Sequence, residues 1–223
     1  VTEITRNDLR IIGTTTSVGG FYQNVSITGE CQINGDVDCR RLSLTGEANV
    51  AGNLRVEDMK ITGECMVNGS LDGLSLRGRG EIQTTSGLRI ERIKFTGDLD
   101  VLGDCEAEEL QLSGAVHVEG LLSADRLNIN LFGPSHAREV GGSLIVIKHS
   151  KSGKLLNLMK LKGKVLFETG LIEGDSVELQ HTKANMVRGE RVIIGTDCEI
   201  QTVEYRDTLE IHKSAIVKHQ IKL

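Results

Sequence analysis

An all-β fold, a parallel β-helix built from coils of about 17 residues, follows from three features: a repeated sentence, alternation within it, and glycines at fixed spacing. Val25-Ser-Ile-Thr-Gly-Glu-Cys-Gln-Ile-Asn-Gly-Asp-Val-Asp-Cys39, followed by Arg40-Arg41, returns as Leu42-Ser-Leu-Thr-Gly-Glu-Ala-Asn-Val-Ala-Gly-Asn-Leu-Arg-Val56, followed by Glu57-Asp58. Within the first sentence Val25, Ile27, Gly29, Cys31, Ile33, Gly35, Val37 and Cys39 alternate with mostly polar residues, the pattern of strands with one buried face. Gly29 and Gly35 cut the period into three short strands with inward pairs Val25/Ile27, Cys31/Ile33 and Val37/Cys39. Glycine suits the corners of such a coil, where a sharp bend disfavours a Cβ. Successive coils then stack as parallel strands about 4.8 Å apart.

Composition agrees with a narrow core. Aromatics are 3% and Trp is absent, as expected where each coil encloses only small aliphatic side chains. Cys31, Cys39, Cys65 and Cys105 all fall at inward positions and read as reduced core packing, and Cys198 aligns with them. The net charge of −5 argues against nucleic acid as a partner. No stretch resembles a membrane span or signal peptide, so the expected location is the cytoplasm.

In chain order, residues 1–24 lack the repeat and read as an arm, with Leu9, Ile11 and Ile12 as a strand able to cover the open coil. A first β-helix block follows at 25–130, with coils at 25–41, 42–58, 59–73, 74–92, 93–109 and 110–126. This division makes a charged column of Arg40-Arg41, Glu57-Asp58, Glu91-Arg92, Glu108-Glu109 and Asp125-Arg126 with Gly73 as its gap. The repeat breaks over 131–165, which reads as a basic insert carrying Arg138, Lys148, Lys151, Lys154, Lys160, Lys162 and Lys164 against Glu139 alone. Within it 144–147 reads as a strand and 150–154 as a loop, and 155–161 fits either a helix turn or a strand. A second, shorter block occupies 166–223, where Ile172 to Leu179 matches Val187 to Ile194 fifteen residues later. Periodicity leaves open whether the blocks share one stack.

Candidate chemistry is sparse. His117 sits between inward Val116 and Val118 and aligns with Gln32, Asn49, Met66, Glu81 and Asp100, a column without common chemistry, so it reads as a surface histidine. His149, His181, His212 and His219 show no metal-ligand spacing. Neighbouring carboxylates such as Glu57-Asp58 define no cleft, and the Gly-x4-Gly-Lys-Ser/Thr phosphate loop is absent. The chain is therefore expected to be no enzyme and to need no cofactor. An outward column, Ser26-x-Thr28, Ser43-x-Thr45, Lys60-x-Thr62, Ser75-x-Arg77, Lys94-x-Thr96 and Gln111-x-Ser113, has too many cations for an ice-binding array.

The Ile-Thr-Gly-Glu-Cys-x-Val/Ile-Asn-Gly sentence at 27–35 and 61–69 resembles the coil repeat of bactofilins, bacterial cytoskeletal proteins that polymerise without nucleotide. The stretches 187–195 and 203–205 are similar to C-terminal segments of longer bactofilin-type proteins of Gram-positive bacteria. The resemblance implies a right-handed triangular β-helix that joins end to end as a scaffold in cell shape, polarity or motility. It also implies partners among copies of the chain, a paralogous bactofilin, or the membrane and cell-envelope machinery. Two blocks and an insert depart from the single core of familiar members. Hexapeptide-repeat acyltransferases share the triangular coil, but their apolar-Gly hexads are not the repeating unit here. A carbohydrate-binding or adhesive β-helix is the other alternative.

Two surfaces are expected to matter. The ends of a coil stack present unpaired backbone groups and an open core, placing a self-association interface at Val25 and Ile27 and at Leu209, Ile211, Ile216 and Val217. The insert offers a docking patch of Lys148, Lys151, Lys154, Lys160, Lys162 and Lys164 for an acidic subunit or anionic lipid.

Overall fold

The computed structural model describes residues 6–149 and 165–223. Ten strand segments are present among them: β1 (Asn7–Val50), β2 (Leu54–Val67), β3 (Leu71–Thr84), β4 (Leu88–Val101), β5 (Cys105–Leu131), β6 (Ser135–His149), β7 (Phe167–Leu179), β8 (Thr182–Ile194), β9 (Glu199–Ile211) and β10 (Ile216–Lys222). Each pairs in parallel with the next, in unbroken chain order. This is a β-solenoid, and its longest segments exceed one coil because the backbone stays extended through the corners.

The core is one continuous column. Ile27, Ile33, Leu44, Val50, Ile61, Val67, Val101 and Val118 are all buried, as the alternation requires. Phe95, large for so narrow a core, has Gly78 as its register partner on the preceding coil, so volume is matched between neighbours. All five cysteines are buried and free.

One corner sets the repeat. Gly29, Gly46, Gly63, Gly80 and Gly97 have φ between +119 and +132, a region that side chains disfavour. They also stack, and a Cβ on Gly46, Gly63, Gly80, Gly97 or Gly114 would collide with the carbonyl oxygen of the glycine one coil earlier. A second corner is stitched by side chains, since Asp36 Oδ1 accepts from Asn53 N at 2.7 Å and Asn53 Oδ1 from Ser70 N at 2.9 Å. Asp104 Oδ1 repeats this with Leu121 N at 2.7 Å.

Four expectations are corrected. Residues of the supposed arm form a coil of the stack: Ile11 is buried, Asp8 accepts from Asn24, and the Gly13 carbonyl lies against Gly29. Coils three and four are not 15 and 19 residues long. Met59 pairs with Leu76 and Leu76 with Ile93, a constant 17. Leu74, inward by the sequence division, is exposed while Leu76 is buried, because the true inward partner in that column is followed by Gly78 and loses its apolar companion. The charged column therefore has its gap at Leu74-Ser75, and the outward column continues through Arg77-x-Arg79. Thirdly, the column of His117 contains Gln83 in place of Glu81. Lastly, much of the segment read as an insert belongs to the stack. β6 pairs with β5 on one side and β7 on the other, with Ala137, Val140, Ile145 and Ile147 inward. The repeat is hard to see there because the spacing changes from 17 to 18 or 19 beside the Val118/Leu121 irregularity. The two blocks are one stack.

The glycine corner predicts a steep cost for a single methyl group. Gly63→Ala should destabilise the fold by about 1–3 kcal/mol, read as a lower urea midpoint. Gly141→Ala, which meets only a side chain at 3.8 Å, should leave the midpoint nearly unchanged. Equal effects from the two substitutions would contradict this role for the corner.

Candidate interaction surfaces

Three outward faces carry the polar side chains, and their charges are arranged differently. On the third face, between the Asp36-type corner and the charged Arg40-Arg41 corner, the register column Asp38, Arg55, Asp72, Arg89, Glu106 alternates in sign at every coil. Arg89 holds Glu106 through two contacts of 3.0 and 3.2 Å, and Arg6 reaches Asp38 at 2.8 Å. An open groove of about 630 Å³ crosses this face where Gly73 and Ala107 interrupt the larger Val56 and Ile90. On its rim Arg6 pairs with Asp38 and Arg89 with Glu106.

The other two faces segregate their charges about the glycine corner. Before it, on the first face, Lys60, Arg77 and Lys94 are consecutive register partners, with Arg79 beside them. After it, on the second face, Glu47, Glu64, Glu81 and Asp98 form an acidic ladder. Like charges directly opposite each other on paired strands are unfavourable. Further along the second face the column Asn49, Met66, Gln83, Asp100, His117, His136 runs across the coils.

The residues predicted for the stack ends are buried at one end and partly exposed at the other. Leu9 and Ile11 lie over Val25 and Ile27, each 1% exposed, so these two are core and not interface. The first coil instead exposes Ile12, Val18 and Phe21. At the other end the predicted residues come together. β10 covers only the early part of β9, pairing Ile216 with Glu199 and Lys222 with Tyr205. Leu209 and Ile211 of β9 thus lie beyond its cover. Ile211 is 36% exposed, Ile216 58%, and Leu209 and Val217 are half-buried. Ile221 and Leu223 join this apolar end at 44% and 60%; alternation alone places them at the surface without showing that the end is open.

Of the predicted docking patch, Lys148 is spoken for by Glu178 at 2.9 Å on the next coil. Lys151, Lys154, Lys160, Lys162 and Lys164 lie outside the described residues, as do the 150–154 and 155–161 stretches. In the C-terminal coils Arg188 bridges two neighbours, meeting Glu204 at 2.7 Å and Glu173 at 3.1 Å.

The histidines and cysteines offer little chemistry. Among the described residues no group of three or more His, Cys, Asp or Glu side chains is placed to hold a metal. The coil register brings His149 and His181 together at a ring separation of 4.5 Å, which sequence spacing did not reveal because the two are brought together by coil stacking. Burial pushes the thiols of Cys39, Cys65 and Cys105 up to about 12 and that of Cys198 up to about 11, away from nucleophilic thiolates. No helix among the described residues is long and apolar enough to cross a membrane.

His117 is more constrained than a surface reading implies. Its Nδ1 lies 2.8 Å from Asp100, and that hydrogen bond, with the charge of Asp100 and Asp98, raises its pKa against the opposing effect of burial. The stabilisation by charged His117 is therefore complete below the unfolded value of about 6.5 and is lost as pH rises through the higher folded value. NMR titration should place His117 above about 6.5, and Asp100→Asn should lower it. A His117 that titrates at or below that value would contradict the contact.

No family model matches the chain. It is similar to two proteins of Bacillus subtilis (strain 168), both described as uncharacterized: YhbE, 43% identical over 107 residues, and YhbF, 37% identical over 105 residues. These matches cover 48% and 47% of this chain but only 44% and 42% of the relatives, so the chain spans less than half the length of the curated proteins it matches. No solved structure matches significantly.

Proposed function

We propose that the protein is a self-associating structural scaffold, a polymer-forming element of the bactofilin kind that works without nucleotide. The observation that carries this reading is the single parallel stack of ten strand segments in chain order over one continuous aliphatic column; in its last described coils Ile211, Ile216, Ile221 and Leu223 are exposed. In a stack of this kind the parallel edge of a terminal coil is a template for another strand. The first coil exposes Ile12, Val18 and Phe21. Joining the two ends would satisfy backbone groups and remove apolar surface from water at about 25 cal/mol per Å².

The rest of the molecule supports a mechanical role. Its described core is a single aliphatic column, burial keeps its thiols protonated, and Arg89 and Glu106 on the rim of the groove pair within the chain. The same stack suits an element whose length is the property being used. The copies of this chain, or a paralogue with the same end, are the partners this reading names, and the cell-envelope machinery is what the polymer would organise.

Sedimentation and electron microscopy of the wild type beside Ile216→Arg test the proposal. The wild type should form filaments or large oligomers, and the arginine, placed among the exposed apolar residues of the last described coil, should abolish them while leaving the β-rich circular dichroism intact. A wild type that stays monomeric at high concentration would overturn the reading.

A further inference from the structure

We infer that the glycine corner is a second, lateral interface at which two copies of this chain pair side by side through complementary charge ladders. The three faces of the stack treat charge differently. The third face alternates sign at each coil, with Arg89 and Glu106 paired, whereas the two faces flanking the glycine corner each hold one sign over three successive coils. Lys60 stands four residues before Glu64, Arg77 before Glu81, and Lys94 before Asp98, a cation and an anion on either side of the corner in each coil. None of these six lies within 4.0 Å of an opposite charge among the described residues. Each ladder repels itself and makes no ion pair among the described residues, so a surface of opposite sign at the same pitch is what would relieve it.

The chain itself supplies that surface. A two-fold axis parallel to the stack sets the acidic flank of each copy against the basic flank of the other, with coils at equal height. Glu64, Glu81 and Asp98 then face Lys60, Arg77 and Lys94 of the second copy, twice over. A two-fold axis perpendicular to both the stack and the line joining the copies sets acid against acid, so the pair is parallel. On the ridge between the ladders Thr62, Arg79 and Thr96 are successive register partners beside the small Gly63, Gly80 and Gly97, so that Arg79 adds a further cation facing the acidic flank of the second copy. Side-by-side pairing does not need the stack ends to join, and the two associations fail separately.

The test uses the full chain carrying Ile216→Arg, so that end-joining is blocked. One variant takes Glu64→Lys, Glu81→Lys and Asp98→Lys, another Lys60→Glu, Arg77→Glu and Lys94→Glu. In analytical ultracentrifugation the end-blocked parent should sediment as a dimer at low salt and as a monomer at about 1 M, where screening acts within about 3 Å. Each variant alone should be monomeric, and their mixture should restore the dimer. A parallel pair also brings Thr28→Cys of the two copies together, giving a disulfide dimer on oxidation. A parent monomeric at low salt, a variant that dimerises alone, a mixture that does not pair, or a Thr28→Cys protein that fails to cross-link would overturn the inference. Filament formation by the unblocked wild type does not depend on this lateral pairing.

Discussion

Everything in this fold depends on how closely one coil lies on the next. At the glycine corner the backbone of each coil approaches the carbonyl of the previous one so nearly that a single methyl group has no room. That approach keeps the parallel ladder intact around the bend, and the ladder in turn fixes which side chains point inward at every level. A one-residue slip would turn the aliphatic core outward. The constant register of 17 from Val37 through Val118 expresses this constraint.

Where the spacing is constant, the sequence is legible almost residue by residue. The inward positions Ile27, Leu44, Ile61 and Val101 could be named from alternation alone because period two and a buried face leave no alternative. Legibility fails where an inward position lacks an apolar residue. Gly78 hides the alternation of its coil, and Leu74, apolar yet outward, offers a false start two residues early. The first coil is obscured for a related reason: its run of Thr14, Thr15 and Thr16 has strand propensity but no hydrophobic contrast. The 135–149 coil departs from the period, and only pairing with both neighbours identifies it. Surfaces are harder still. The acidic and basic ladders need the corrected register before they line up.

Charge organisation is what distinguishes this molecule from a generic coil stack. Small inward residues and corner glycines are required of any such fold, so they carry no functional information beyond it. Outward positions are free of that requirement. Alternation on the third face stabilises the stack within one chain, through contacts such as Arg89 to Glu106. Segregation across the glycine corner makes no such ion pairs among the described residues.

The scaffold reading rests on length, and length rests on the two blocks being one uninterrupted stack. From Ser43 the outward positions descend one coil at a time through Lys60, Arg77, Lys94, Gln111, Asn128, Val146, Glu178 and Ile193 to Glu210. Those are nine coil spacings of about 4.8 Å, or about 43 Å. Spin labels at positions 43 and 210 measured by pulsed dipolar spectroscopy should therefore give a single distribution centred near about 43 Å. A distance near half that value, as two blocks folded side by side would produce, would contradict the continuous stack on which the scaffold depends.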